Sequence, residues 1–243
     1  MRTMILSSLL GIATAAANAQ TTSVYYGKAQ DEKGKVSYLE KHTAEFDKNG
    51  DIFKAETDYT RESGEVFGKL KSDFSKSVTA PTYTFEDLRD GSSHGMSFDG
   101  QKYVLWMAGK DGKRTEKEFL KDYFDKDALV VGCQGLHYYL VKNLDSLRER
   151  KEVRLKYLIP GKLDYYTFIL SFEKEDEKFV NLKVKVQNLF LRAFVSSLQL
   201  KYSKEDRRLV SYSGLSNIPT DSGGIQNVQI AYTLPPKDSE VVK

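Results

Sequence analysis

The chain has 243 residues, with 37 basic and 34 acidic side chains and a formal charge of +3. Lys and Arg are scattered among nearly as many acids, which excludes the clustered basic face of a nucleic-acid binder. The single cysteine, Cys133, excludes an intrachain disulfide, so the fold rests on its core, which a chain of this length can supply.

The first residues, MRTMILSSLLGIATAAANAQ, carry Arg2, an apolar run from Met4 to Ala17, and Ala17 and Ala19 flanking Asn18. This is the layout of a secretory signal peptide over residues 1–19, cleaved after Ala19, and the run is too short to span a bilayer. No cysteine follows it to take a lipid anchor, and no later stretch is apolar enough for a transmembrane segment. The expectation is an exported, periplasmic protein.

Residues 36–46 alternate Val36, Tyr38, Glu40, His42, Ala44 and Phe46 with Ser37, Leu39, Lys41, Thr43 and Glu45. A carboxylate and an imidazole therefore sit on the apolar face of a strand. Asn49-Gly50 predicts a tight hairpin into a second strand that places Phe53, Ala55, Thr57 and Tyr59 on one face. After Ser63-Gly64, Val66, Gly68, Leu70 and Phe74 face one way in a third, giving an antiparallel meander. Residues 81–95 read as an edge strand plus a polar loop, and Asp99-Gly100 and Asp111-Gly112 flank two further strands.

Leu129, Cys133, Leu136, Leu140, Leu144 and Leu147 recur at three- and four-residue intervals, which predicts one amphipathic helix within residues 127–147. Strands return at about 151–159, 163–173, 178–187, 197–203, 207–214 and 226–233, with a helical turn over 188–194. The tail 235–243, with Pro235 and Pro236, reads as flexible. No repeat or linker divides residues 20–234, which read as a single barrel-like domain.

A sheet of about twelve strands curls or splits as twist accumulates. The expected fold is mainly β, a strongly curved antiparallel sheet (barrel or half-barrel) with one helix on its concave side. Such a shape can hold an apolar cavity.

Several stretches then resemble a family of uncharacterised exported bacterial proteins. They are Y-x-E-x-H at Tyr38, Glu40 and His42, Y-x-x-x-x-G at Tyr59 and Gly64, L-x-x-Y-x-G-L-S-N-I from Leu209 to Ile218, and V-x-I-x-Y at Val228, Ile230 and Tyr232. The likeness covers almost the whole mature chain and implies no function. More distantly, the layout is similar to the periplasmic lipoprotein-carrier fold, a half-barrel with a helical lid that shelters acyl chains. That likeness is architectural, and fold does not imply function.

Glu40 and His42 are the sharpest chemical pair, because a carboxylate on the same strand face can orient an imidazole. Residues two apart on a strand are roughly 7 Å apart along it; the reading favoured is an interior polar feature of a barrel wall, with no catalytic residue. His94 and His137 lie far from His42 and no metal-ligand spacing appears, so neither metal nor cofactor is expected. Gly214 and Ser216 do not make a nucleophile elbow; Ser216 and Asn217 read as turn residues.

The 15 Tyr and 13 Phe supply rings and hydroxyls that can line a cavity. The favoured function is a non-catalytic carrier for an apolar or amphipathic ligand such as a lipid, acyl chain or lipoprotein. Its expected cavity lining is Tyr38, Glu40, His42, Phe53, Tyr59, Leu136, Tyr139 and Leu140. The alternatives are an envelope assembly protein that binds a protein partner and, behind both, a hydrolase built on Glu40 and His42.

Overall fold

A computed structural model describes residues 21–150, 152–190 and 196–235. The expected signal peptide, most of the tail and residues 191–194 of the expected helical turn lie outside the described residues. Residues 188–190 carry no helix.

The first eight strands are β1 (Thr21–Gln30), β2 (Val36–Phe46), β3 (Ile52–Thr60), β4 (Val66–Asp73), β5 (Thr82–Asp87), β6 (Ser93–Phe98), β7 (Lys102–Ala108) and β8 (Arg114–Leu120). A short β9 (Leu129–Gly132) leads into α1 (Gly135–Asn143). Six strands follow: β10 (Glu152–Ile159), β11 (Asp164–Glu175), β12 (Phe179–Val186), β13 (Leu198–Ser203), β14 (Leu209–Leu215) and β15 (Asn227–Thr233). All fifteen form one sheet in the order β8 to β1, then β15 down to β9. Pairing is antiparallel throughout except for β9 on β10, which is parallel.

The count corrects the expected twelve. β1 carries no clean alternation, residues 81–95 make two paired strands, β5 and β6, and β9 lies hidden inside the expected helix. That helix is correspondingly shorter. Its apolar period is real, but Leu129 belongs to β9, Cys133 to the connection, and Leu147 to a 3-10 turn at Ser146–Arg148.

The hairpin at Asp47–Asp51 also differs in detail. Only Gly50 takes a positive φ, of 78°. Asp47 Oδ1 accepts the amides of Asn49 and Asp51, each at 2.9 Å, so the carboxylate closes a longer turn than an Asn-Gly pair alone would make.

The sheet curls without closing: β8 and β9 are its two edges. Side chains bridge the gap. Tyr165 packs its ring against Phe119, Tyr123 and Phe124 with centroids 5.1–6.0 Å apart. Lys117 reaches Asp164 at 3.3 Å, and the turn Pro160–Lys162 packs on β6 and β7. One backbone bond, from Gly132 N to Thr79 O at 3.0 Å, ties the end of β9 to the β4–β5 connection.

Side chains inside the curve form apolar clusters. One gathers Tyr38, Tyr59, Leu70, Phe85, Met96 and Leu105 from the first half of the sheet, with Leu158, Ile218 and Ile230 from the second. Another packs Leu136, Leu140 and Leu144, on or just after α1, against Leu155, Leu170, Leu182 and Leu200. Tyr138 turns the other way from α1 and packs beside Phe46 and Phe74. The helix thus joins both halves of the sheet through its buried residues.

Candidate functional site

β2 carries Glu40 and His42 to the interior, where they are 5% and 8% exposed. His42 Nε2 lies 2.8 Å from Glu40 Oε2, so the two residues close the strand spacing by leaning toward one another. On the other side, His42 Nδ1 lies 2.8 Å from Thr57 Oγ1 of β3, directly opposite in the β2–β3 register. Gln134, just before α1, donates through Nε2 to Thr57 Oγ1 at 3.0 Å, and Ser72 of β4 donates to Gln134 Oε1 at 2.9 Å.

One tautomer lets every group in this chain donate once along it. Gln134 supplies a hydrogen to the Thr57 oxygen, which leaves the Thr57 hydroxyl hydrogen for His42 Nδ1. The imidazole then carries its own hydrogen on Nε2 and donates it to Glu40. Five residues from three strands and the turn before α1 form one chain of donors that ends on a carboxylate. The ring of Tyr25 stacks on His42, with centroids 4.3 Å apart and planes 8° apart.

β1 makes room for the Glu40 end. Gly27 pairs with Glu40 in the β1–β2 register, and a Cβ there would stand 2.7 Å from Glu40 Oε2 and 2.9 Å from Tyr232 Cε1. A larger residue would force Glu40 or Tyr232 to shift, because the carboxylate occupies the space of the missing side chain.

The surroundings are phenolic. Burial first, with the nearby Glu40 carboxylate contributing, pushes up the hydroxyls of Tyr25, Tyr38, Tyr59, Tyr212 and Tyr232. They therefore stay neutral donors. Tyr38 bonds Ser216 Oγ at 2.8 Å, while the buried Tyr138 hydroxyl approaches Tyr25 without a hydrogen bond of ordinary geometry. His137 of α1 bonds the Tyr202 hydroxyl at 3.0 Å, and burial holds its imidazole down at about 4. Burial also pushes the Cys133 thiol up to about 12, which keeps it from acting as a thiolate nucleophile.

Of the expected lining residues, Tyr38 and Tyr59 are brought together, with ring centroids 6.0 Å apart, and both are buried in the first cluster. Leu136 and Leu140 are buried in the second, with Tyr139 partly buried beside them. Phe53 is only partly buried, because the irregular pairing at the start of β3 turns Ile52 into the core. Leu136, Tyr139, Leu140 and the Glu40–His42 pair thus belong to separate neighbourhoods.

A second group of side chains, whose charged members the sequence reading did not single out, surrounds an open pocket of about 470 Å³. It lies where the β1–β2, β3–β4 and β5–β6 turns meet the β14–β15 loop. Arg61 and Arg89 stack over the ring of Phe67 at 5.4 and 4.7 Å. Arg89 forks onto Asp87 at 2.6–2.8 Å and turns Nη1 outward to the Pro219 carbonyl and Asp221. Arg61 grips both oxygens of Asp221, at 2.9 and 3.2 Å. Val36, Tyr38, Phe67 and Ile218 supply the apolar part of the wall.

The loop's base is pinned. Ser216 Oγ holds Tyr38 and the Ile218 amide, and Gln226 Nε2 holds the Ile218 carbonyl at 2.8 Å. Ser216 is thus the turn residue it was read as, with the added task of capping an interior tyrosine.

Among the described residues no group of three or more His, Cys, Asp or Glu is placed to hold a metal ion. No described helix is long and apolar enough to cross a membrane. No protein-family model matches the chain, and no curated protein matches it significantly. Among solved structures, it is similar to a beta-barrel-like protein from Brucella abortus belonging to a domain of unknown function, DUF1849. The TM-score is 0.41 at 8% identity, over 89% of this chain and 98% of that one.

Proposed function

We propose that the protein is an exported, periplasmic binding protein for an amphipathic anion, an acyl or aryl group bearing a carboxylate or phosphate. The ligand sits in the pocket at the arginine-bearing end of the curled sheet. The observation that carries this reading is an open pocket with two guanidiniums at its rim and partly exposed Val36 on its wall, lined from buried positions by Tyr38, Phe67 and Ile218. A volume of about 470 Å³ falls within the range of small-molecule sites.

The mechanism is burial and charge pairing without chemistry. Apolar surface removed from water contributes roughly 25 cal/mol per Å², and a carboxylate or phosphate can be held by guanidinium hydrogen bonds. The Glu40–His42 relay is a structural anchor in this reading, because each donor in it already has an acceptor and the dyad is closed to solvent. The deep interior, where Tyr59, Leu136 and Leu140 pack against protein neighbours, is wall and support for the pocket above it.

The test is titration calorimetry with dodecanoate and with its uncharged counterpart, dodecyl maltoside. Dodecanoate should bind at micromolar concentration. Ser63→Trp, on an exposed turn at the pocket rim, should abolish binding without changing the melting temperature. Unaltered binding by that variant would place the ligand elsewhere.

A further inference from the structure

The carboxylate of Asp221 already occupies the position that an anionic head would take. Its two oxygens are gripped by Arg61 Nη1 and Nη2, and Arg89 Nη1 bonds one of them at 3.1 Å. We propose that the tip of the β14–β15 loop, residues 219–224, is a built-in competitor: a strap whose Asp221 fills the anion seat until a ligand carboxylate or phosphate displaces it. This rests on the reading of the pocket as an amphipathic-anion site.

Three features of the loop carry the inference. Its base is fixed to the barrel by the Ser216–Tyr38, Ser216–Ile218 and Gln226–Ile218 bonds, so displacement need not disturb the fold. Its tip is held together by its own turn, Thr220 N to Gly224 O at 2.9 Å and Gly223 N to Thr220 O at 2.8 Å, and can move as a unit. Beyond these internal bonds, the tip is tied to the wall through Asp221, on both arginines, and the Pro219 carbonyl, on Arg89.

The two arginines are not equivalent. Arg89 is 15% exposed and keeps its fork on the equally sheltered Asp87, so it remains in place when the strap leaves. Asp221 is 64% exposed, and Arg61 is 36% exposed. Exposed ion pairs of this kind hold weakly. Exchanging one carboxylate for another at the same nitrogens is nearly neutral, and the ligand's apolar tail, laid on partly exposed Val36 and on the wall that the lifted strap uncovers, decides the direction.

The experiment compares dodecanoate and dodecyl maltoside binding by calorimetry in the wild-type chain and in Asp221→Ala, with amide exchange of residues 219–224 followed in the wild type. Removing the competitor should tighten dodecanoate by about fivefold or more and leave dodecyl maltoside unchanged. Wild-type exchange at 219–224 should speed up on adding dodecanoate while the strands stay protected. Equal or weaker dodecanoate affinity in Asp221→Ala, with the wild type still binding, would overturn the strap and leave the pocket standing. No dodecanoate binding by either chain would overturn both.

Discussion

Thr57 Oγ1 lies 2.8 Å from His42 Nδ1 and accepts a hydrogen bond from Gln134 Nε2 at 3.0 Å, so one buried hydroxyl joins β2 and β3 to the turn before α1. The interior chain of donors runs through that oxygen. Thr57→Val keeps the shape and removes the hydroxyl, stranding His42 Nδ1 and the Gln134 amide. Unfolding in urea should show a loss of about 1–3 kcal/mol. Dodecanoate affinity should be unchanged, since the relay does not line the pocket; a loss of binding at unchanged stability would instead give the relay a functional role.

Gly27→Ala tests the seat of the Glu40 carboxylate. The new methyl would meet Glu40 Oε2 at 2.7 Å and Tyr232 Cε1 at 2.9 Å. Denaturation should report a loss of about 1–3 kcal/mol from overpacking. The same substitution at exposed Gly161, where an added Cβ meets nothing within 4 Å, should be close to silent.

Acid should weaken the fold through His137. Its imidazole titrates at about 4 in the folded chain against an ordinary 6.5, so the unfolded chain takes up the proton first as the pH falls. Stability from this group is complete above 6.5 and is lost between 6.5 and about 4. Burial lowers the His94 imidazole as well, and its contribution has the same sign. His137 faces Tyr202 and Tyr25, with His42 adding like-charge repulsion. His137→Gln should flatten the slope of stability against pH over this window, removing on the order of 1–2 kcal/mol at the acid end because the ring is only partly buried. An unchanged slope would refute the assignment.

The parts of the fold that the sequence disclosed are those where alternation runs uninterrupted into one core. β2 and β12 place a buried residue at nearly every second position. β1 escapes the same reading because its interior position opposite Glu40 is Gly27, whose side-chain space the carboxylate has taken. β9 is four residues long, fully contained in an apolar run that also fits a helical period.

The Glu40–His42 pair was legible from period two alone, and Thr57 lay on the predicted inner face. Gln134 was not legible. It follows Cys133, which adopts a left-handed φ of 47°, and no local pattern announces where such a backbone aims the next side chain. The arginine pocket was illegible for a different reason. Arg61 and Asp221 are 160 residues apart and each reads alone as a solvated turn charge. Only the curl of the sheet brings their turns together.

The open seam between β8 and β9 should be the weakest part of the barrel. Tyr165→Ala removes the ring that Phe119, Tyr123 and Phe124 share. Amide exchange should accelerate in β8 and around residues 160–163 while β2 and β3 stay protected, with a stability loss of about 1–2 kcal/mol. Uniform acceleration across the sheet would mean that the seam is no separate unit.

The most direct measurement is native mass spectrometry of the protein, gently purified from its own cells, followed by organic extraction. The account predicts a co-purifying amphipathic anion that is retained by the wild-type chain and absent from Ser63→Trp. A clean apo mass for the wild type, together with no dodecanoate binding, would contradict it and turn attention to a protein partner, to be sought by crosslinking.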